Sequence, residues 1–222
     1  MKVIVINMDE STKRWSSFYN TCKELNIQDK VERFKAVSKH DTDRLNILKT
    51  KFKCGLSGGE AGCALSHLLV IKKFLESSDE YVSIFEDDAK IMDAEFLQID
   101  KLLNDIGVKE FDILYLTKRM AHNAKFEIKG GWGTEGYILT KKGAQNIYNI
   151  LTCGSGIFHP IDNHIQGHIH GMVNCRSSRK CTQYPNLWLK AYRTKKVYVK
   201  HFPNGISDIG RCKDHWLTKN DT

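Results

Sequence analysis

The stretch Tyr81-Val-Ser-Ile-Phe-Glu-Asp-Asp88 decides the fold of this chain. Its first five residues have the β-branched and aromatic character of a buried strand, and the apolar run then ends abruptly in three carboxylates. Adjacent like charges repel one another, and partial burial would raise their pKa values. A bound Mn²⁺ or Mg²⁺ ion would remove this conflict, because both ions prefer carboxylate and phosphate oxygens. The alternative is a solvated acidic turn that caps the next helix.

Strands alternate with helices on both sides of this stretch, which predicts an α/β fold with a mainly parallel sheet flanked by helices. The other predicted strands are Lys2–Met8, Val31–Val37, Asp112–Leu116, Gly136–Leu139 and Lys196–Phe202. Helical spacing is found in the residues after Met8, after a Ser57–Glu60 capping box, in Ala94–Ile106 and in Ala144–Leu151. Ligands bind beyond the carboxyl ends of strands in such sheets, so one cleft should collect Asn7, Glu86–Asp88, Thr117 and His201.

The length of 222 residues suits one domain over 1–222, with a polar tail from about residue 208. No segment approaches the ~18 consecutive apolar residues of a membrane helix, and the N-terminal apolar run is too short for a signal-peptide core. The seven cysteines are odd in number and irregularly spaced. This pattern predicts mostly reduced thiols and a cytoplasmic protein.

The net charge of +8 is unevenly distributed. Residues 113–222 contain 17 Lys and Arg against 6 Asp and Glu, whereas residues 1–112 contain 17 against 20. A basic second half attracts anions such as a phosphorylated substrate, and it allows peripheral contact with anionic lipid headgroups. The alternative is an ordinary solvated basic face.

Five motifs together resemble glycosyltransferase family 25, which includes bacterial lipooligosaccharide galactosyltransferases and animal collagen galactosyltransferases. In chain order they are VINMDESTKR, GEAGCALSH, SIFEDDAKI, GYILTKKGA and PIDNHI. The resemblance spans roughly residues 3–165, and GEAGCALSH followed by EDDA is its most specific part. It implies a GT-A-type nucleotide-sugar-binding fold, inversion at the anomeric carbon and a Mn²⁺ or Mg²⁺ requirement.

The resemblance also assigns roles to individual residues. Donor-binding roles fall on Asn7, Arg14, Glu60, Ser66, His67 and Asp87, and metal-binding roles on Glu86, Asp88 and His201, with Asp208 as a substitute for His201. The acidic general base is Asp162 or, less favoured, Glu135. Chemically, an Asn can read a uracil or ribose edge, and an Arg offers a fork for phosphate oxygens. The alternatives are structural: Glu60 caps its own helix, and Asp162 caps the helix that follows it.

The expected activity is transfer of galactose or glucose from a UDP-sugar to a hydroxyl of a glycan, lipooligosaccharide, glycolipid or protein. No nucleic-acid partner is expected. Two alternatives stay open. A metal-dependent phosphoesterase or nuclease would use the same acids with the basic half and would bind nucleic acid in a salt-sensitive way. An inactive nucleotide-sugar-binding module would be stabilised by UDP without turning it over.

Overall fold

The computed structural model describes residues 1–153, 156–169 and 187–201. Its strands are β1 (Lys2–Asn7), β2 (Val31–Lys35), β3 (Tyr81–Glu86), β4 (Ala89–Ile91), β5 (Ile113–Tyr115), β6 (Met120–His122), β7 (Ile128–Gly131), β8 (Gly136–Thr140), β9 (Ala191–Arg193) and β10 (Val199–His201). Its helices are α1 (Thr12–Glu24), α2 (Thr42–Lys51), α3 (Gly58–Leu75), α4 (Ile99–Ile106), α5 (Lys141–Thr152) and α6 (Ile161–Gln166). Short 3₁₀ turns occur at Gln28–Lys30 and Ala94–Leu97.

Six strands form the central sheet in the order β2-β1-β3-β8-β5-β9. Strand β1 is parallel to β2 and β3, and β5 is parallel to β9, whereas β8 is antiparallel to both of its neighbours. The predicted α/β fold with a mainly parallel sheet is therefore confirmed. Because β8 is reversed, it begins at the same sheet edge at which β1 and β3 end.

Strand β1 shows why the sheet is covered on both faces. Ile4 and Ile6 pack into the core that contains much of α3, whereas Val3 and Val5 pack into the core that contains Phe18 of α1. Side chains alternate between the faces of a strand, so a strand buried on both faces is apolar throughout. This accounts for the continuous Val and Ile run near the N-terminus.

Three details of the sequence prediction are wrong. Ala94–Ile106 is not one helix, because the 3₁₀ turn ends at Leu97 and α4 begins at Ile99. The capping box does not form: α3 begins at Gly58, and the Ser57 hydroxyl makes no cap bond. The last strand begins at Val199 and not at Lys196, and it pairs with β4 in a separate two-stranded sheet. Helix α2, the β6–β7 hairpin and β9 were not predicted.

The cysteines depart in part from the expectation of reduced thiols. Among the described residues, Cys22, Cys54 and Cys63 are free and Cys153 is disulfide-bonded, so most but not all of these thiols are reduced. Cys175, Cys181 and Cys212, like Phe202 and the tail from about 208, lie outside the described residues. Among the helices in the described ranges, none has the length and apolar character that crossing a bilayer requires.

Candidate active site

The acidic triplet lies where β3 ends, next to the end of β1. The strand register pairs Ile6 with Glu86, which brings Asn7 beside Asp87. Asn7 Nδ2 donates to Asp87 Oδ2 at 2.5 Å, and Arg14 Nε lies 3.3 Å from Asp87 Oδ1. Burial raises the pKa of Asp87, and these two partners act against that rise. The middle acid is therefore held by two neighbouring elements, β1 and α1.

Arg33 extends this network, and sequence reasoning missed it. Its Nε donates to Asn7 Oδ1 at 2.7 Å, and its Nη2 donates to the Met8 carbonyl at 3.2 Å. The guanidinium also pairs with Asp9 at 3.3 Å and lies over the Trp15 ring. Arg33 sits in the exposed β2, where a lone arginine carries no functional signal; only the parallel pairing of β1 with β2 brings it to Asn7.

Glu86 faces α3 and the segment before β8. Thr134 Oγ1 donates to Glu86 Oε1 at 2.6 Å, and His67 Nε2 lies 3.4 Å from the same oxygen. On its other side, His67 Nδ1 lies 2.8 Å from the Tyr137 hydroxyl. Burial opposes ionisation of Glu86, but the contacts with His67 and Thr134 lower its pKa. Glu86 is thus a carboxylate with fixed partners.

Asp88 lies beside His201 because β4 pairs with β10, and their register places Ala89 opposite His201. His201 Nδ1 is 3.6 Å from Asp88 Oδ2. Asp88 Oδ1 is buried and accepts no hydrogen bond from the described residues. Burial and the charges of Glu86 and Asp87 raise the pKa of Asp88 to about 7. A divalent cation would satisfy the orphaned oxygen and reduce the repulsion, so this set of residues fits an oxygen-preferring ion.

An open cleft runs along these acids and contains about 620 Å³ of empty space. Its walls come from the end of β1, α1, the segment after β2, the first half of α3 and the acidic triplet. The lining residues on which the arguments below depend are Ile6, Met8, Val37, Arg14, Lys39 and Cys63. The cleft therefore has an apolar part and two cationic side chains close to three carboxylates.

Helix α3 is locked to the segment after β2. Ser66 Oγ accepts from Val37 N at 2.8 Å and donates to the Gly62 carbonyl at 2.6 Å. A Cβ atom at Gly62 would lie only 2.4 Å from the Val37 carbonyl oxygen, so this close approach requires glycine. Glu60 lies in the first turn of α3, half-buried and without the predicted cap from Ser57.

The two candidate bases differ in accessibility. Asp162 is half-buried in the first turn of α6, where its Oδ2 accepts from Gly133 N at 3.2 Å. It is not the helix cap considered above, because Pro160 occupies that position. Glu135 is only 2% exposed, and its Oε1 accepts from Thr117 at 2.6 Å. Burial raises the pKa of Glu135.

Cys63 of α3 lines the cleft together with the acidic triplet. Burial raises the pKa of its thiol well above the usual range, and the carboxylates of Glu86, Asp162, Asp88 and Glu60 act in the same direction. Carboxylates from α3, from the acidic triplet and from α6 therefore all raise the pKa of one thiol on α3.

Asp208, the alternative metal ligand to His201, lies outside the described residues.

Comparisons with known proteins point to one family. The family described as Glycosyltransferase family 25 (LPS biosynthesis protein) matches residues 1–165. A Haemophilus influenzae protein named as a proposed glycosyltransferase is 33% identical over 108 residues, covering 45% of this chain and 38% of that protein. A Glycosyltransferase 25 family member of Aedes aegypti is 25% identical over 167 residues, covering 65% of this chain and 27% of that protein. The chain thus spans less than two fifths of the length of either relative.

A distant structural similarity is to a mutant of Drosophila beta-1,4-galactosyltransferase 7 in complex with manganese, UDP-Gal and xylobiose. The TM-score is 0.47 at 11% identity, covering 96% of this chain and 76% of that chain. The fold is the α/β fold with a mainly parallel sheet that the sequence predicts. Because the family match extends over more than half of its length, this chain belongs to glycosyltransferase family 25.

Proposed function

We propose that this chain is an inverting, metal-dependent glycosyltransferase, formed by one domain over residues 1–222, that moves galactose or glucose from a UDP-sugar to an acceptor hydroxyl. The observation that carries the proposal is the convergence of Glu86, Asp87 and Asp88 on one cleft. Among these three acids, Asp88 has a buried carboxylate oxygen that receives no hydrogen bond from the described residues.

The cleft suits a nucleoside diphosphate. Its apolar wall of Ile6, Met8 and Val37 can pack against a base, and the cations Arg14 and Lys39 can pair with phosphate oxygens. Asn7 is only 1% exposed and is bonded to Asp87 and Arg33, so we assign it the task of orienting Asp87. The Ser66 hydroxyl is bonded to backbone on both sides and shapes the wall, while Glu60 and His67 stay donor-side candidates.

Asp88, with Glu86 and His201 as candidate partners, would hold Mn²⁺ or Mg²⁺. A bound ion would supply charge stabilisation for the departing diphosphate. The protein's own contribution is to bring the three side chains together from β3, the turn after it and β10, so that little reorganisation is needed.

Asp162 is the proposed general base. An inverting transfer needs one group that removes the proton of the acceptor hydroxyl while its oxygen attacks the anomeric carbon. Asp162 is reachable at the edge of the site, and the Gly133 N–H fixes its orientation. Glu135 is the second candidate, but its burial and its bond from Thr117 suit a supporting role better.

The acceptor is proposed to be a glycan, glycolipid or protein hydroxyl. One relative, 28% identical over 114 residues covering 43% of this chain and 38% of that protein, is named lipooligosaccharide biosynthesis protein lex-1 of Haemophilus influenzae. Its name favours a lipid-linked glycan. Exposed Lys195 and Lys200 would attract anionic headgroups near such an acceptor.

A thermal-shift panel tests the donor class. UDP-galactose and UDP-glucose are compared with GDP- and CMP-sugars, each with Mn²⁺ or with a chelator. A ligand at about 100 times its Kd stabilises the folded state by about 2.7 kcal/mol, so a metal-dependent response to UDP-sugars alone is expected. UDP release in the presence of a lipooligosaccharide acceptor completes the test. Stabilisation without any UDP release would favour a binding module, and nucleic-acid binding without a UDP response would favour a phosphoesterase.

A further inference from the structure

Cys63, His67 and Glu86 form a second cluster of ligand-type side chains on the wall of the cleft. Each residue offers one ligand atom: a sulfur, a ring nitrogen or a carboxylate oxygen. These three atoms all lie within 4.8 Å of one another. Cys63 and His67 are four residues apart on α3 and so project from the same face of the helix. Cys63 lines the open cleft, which gives an ion a path from solvent.

His67 is the main indication that this cluster holds a ligand. The residue is fully buried, and its Nε2 makes no well-formed hydrogen bond with the described residues although Glu86 Oε1 lies 3.4 Å away. Its Nδ1 lies 2.8 Å from the Tyr137 hydroxyl. Without an ion, a proton on Nε2 faces Glu86 and lowers the pKa of that carboxyl. With an ion bound, the ring proton would lie on Nδ1 and be donated to Tyr137, and Nε2 would present its lone pair to the ion. A hydrogen bond on the far ring nitrogen is the usual way in which a metal-binding histidine is oriented.

Glu86 is also oriented as a ligand would be. Thr134 donates to its Oε1 at 2.6 Å. His67 Nε2 and Glu86 Oε1 are 3.4 Å apart. Two ligands about 2 Å from a tetrahedral zinc ion are about 3.3 Å apart, so this pair already has the required spacing. The Cys63 sulfur must approach more closely, which rotation about its Cα–Cβ bond can provide.

We propose that Cys63, His67 and Glu86 form a second cation site, for an ion of the zinc class, which shares Glu86 with the oxygen-ligand site at Asp88. Thiolate and imidazole ligands select zinc-class ions, whereas Mg²⁺ and Mn²⁺ prefer carboxylates, carbonyls and water. On binding, a metal–sulfur bond forms and the thiol proton passes to solvent. No electron is transferred in this step.

Occupation of this site has a consequence for the donor. Cys63, His67 and Glu86 all line the cleft to which we assign the UDP-sugar, so zinc and the donor should compete. This consequence rests on the proposed function, whereas zinc binding itself does not. Zinc would then act as an inhibitor, and Mn²⁺ or Mg²⁺ as an activator.

Cobalt(II) titration of the whole protein tests the site directly, because cobalt replaces zinc and reports a bound thiolate by a charge-transfer band. We expect the band in the parent protein, its loss on adding zinc, its retention in Cys54→Ala and its absence in Cys63→Ala. Cys54 is the matched control, since it is a free buried thiol outside the cluster. Loss of outer-sphere partners alone costs about 10–100-fold in metal affinity, so Cys63→Ala should weaken zinc binding by more than about 100-fold.

Absence of the band in the folded parent, or its persistence in Cys63→Ala, would overturn the second site. Stabilisation by a UDP-sugar with Mg²⁺, measured in the same samples with and without zinc, separates the two proposals. Weaker donor stabilisation in the presence of zinc supports the competition. A cobalt band without any donor response would remove the proposed function and leave the second site standing, and the reverse result would remove only the second site.

Discussion

The Asn7 carboxamide donates to the Asp87 carboxylate across the ends of two adjacent parallel strands, with Nδ2 2.5 Å from Oδ2. The contact follows from the register of β1 and β3, in which Ile6 pairs with Glu86. It fixes the middle acid through the sheet itself, independently of any ligand. The two flanking acids, Glu86 and Asp88, have their other contacts on different elements.

The Asp88→Asn variant should lose transfer while keeping its fold. The neutral amide of Asn cannot supply the negative charge that we propose holds the cation. Removing one charge-stabilising group from a catalytic centre lowers kcat by about 100-fold or more. UDP release with saturating Mn²⁺ measures the effect, and circular dichroism checks the fold. Asp100→Asn, on the exposed face of α4, is the matched control and should retain full activity. Turnover of Asp88→Asn at the parent rate would disprove the assignment.

Asp88 should also make the metal-free protein less stable as pH rises. Its pKa is raised from 3.8 to about 7 by burial and by the neighbouring acids. Between about pH 4 and about pH 7 the folded state binds more protons at this group than the unfolded state does, so its contribution falls with rising pH. Urea unfolding in the presence of a chelator should show that the free energy of unfolding of Asp88→Asn rises relative to that of the parent as the pH increases across this window. Parallel pH profiles for the two proteins would contradict the prediction.

Arg33→Ala should weaken donor binding although Arg33 is not among the residues that line the cleft. The change removes the bond to Asn7 and thereby loosens Asp87. A hydrogen bond to a charged group contributes about 1.5–3 kcal/mol, so roughly tenfold weaker UDP-sugar binding is expected by calorimetry. Lys35→Ala is the control, because the Lys35 side chain shares the partner Asp9, although its backbone pairs with Asn7 in the sheet. Equal effects of the two variants would assign the loss to general surface charge.

Tyr137→Phe and Tyr115→Phe remove the same hydroxyl from two fully buried tyrosines. The Tyr137 hydroxyl pairs with His67, whereas that of Tyr115 has no hydrogen-bond partner among the described residues. Leaving His67 unpaired should cost about 1–3 kcal/mol of unfolding free energy, and Tyr115→Phe should be neutral or stabilising. Urea denaturation of both variants measures these changes in the free energy of unfolding. A larger loss in Tyr115→Phe would show that the hydrogen-bond assignment is wrong.

Asp162→Asn should lower kcat by about 10²–10⁴-fold, the usual contribution of a general base. Donor affinity should change little, since we place Asp162 on the acceptor side. Glu135→Gln keeps the shape of a buried side chain that already accepts from Thr117, and its kcat should fall less. Steady-state kinetics of both variants, with UDP-sugar affinity measured separately, provide the comparison. The opposite ranking would make Glu135 the base.

The sequence predicted the parts of the site that lie at strand ends. The apolar runs of β1 and β3 are long enough to locate Asn7 and the acidic triplet, and the parallel-sheet rule then joins them at one edge. His201 was expected at the same cleft, and the structure brings it to Asp88 by another route, through the small β4–β10 sheet.

The remaining contacts depend on packing that no local pattern encodes. Arg33 reaches Asn7 only through the pairing of β1 with β2, and Thr134 reaches Glu86 only because β8 is reversed. Helix α2 was missed because Leu45 is its only buried residue, which gives almost no helical periodicity. Ser57 does occupy the N-cap position of α3 in extended conformation, but its hydroxyl makes no bond to the first turn, which the sequence pattern alone could not show.

The reversed β8 brings a second stretch of chain to the acidic triplet. A parallel strand would contribute the residues that follow it, but β8 contributes those that precede it, Thr134 and Glu135. The cleft that we assign to the donor is lined by residues before about 90, whereas Thr134 and Glu135 come from the segment between β5 and β8. Changes of length in that segment that keep Thr134 against Glu86 would therefore alter the proposed acceptor side without touching the residues that line the proposed donor cleft.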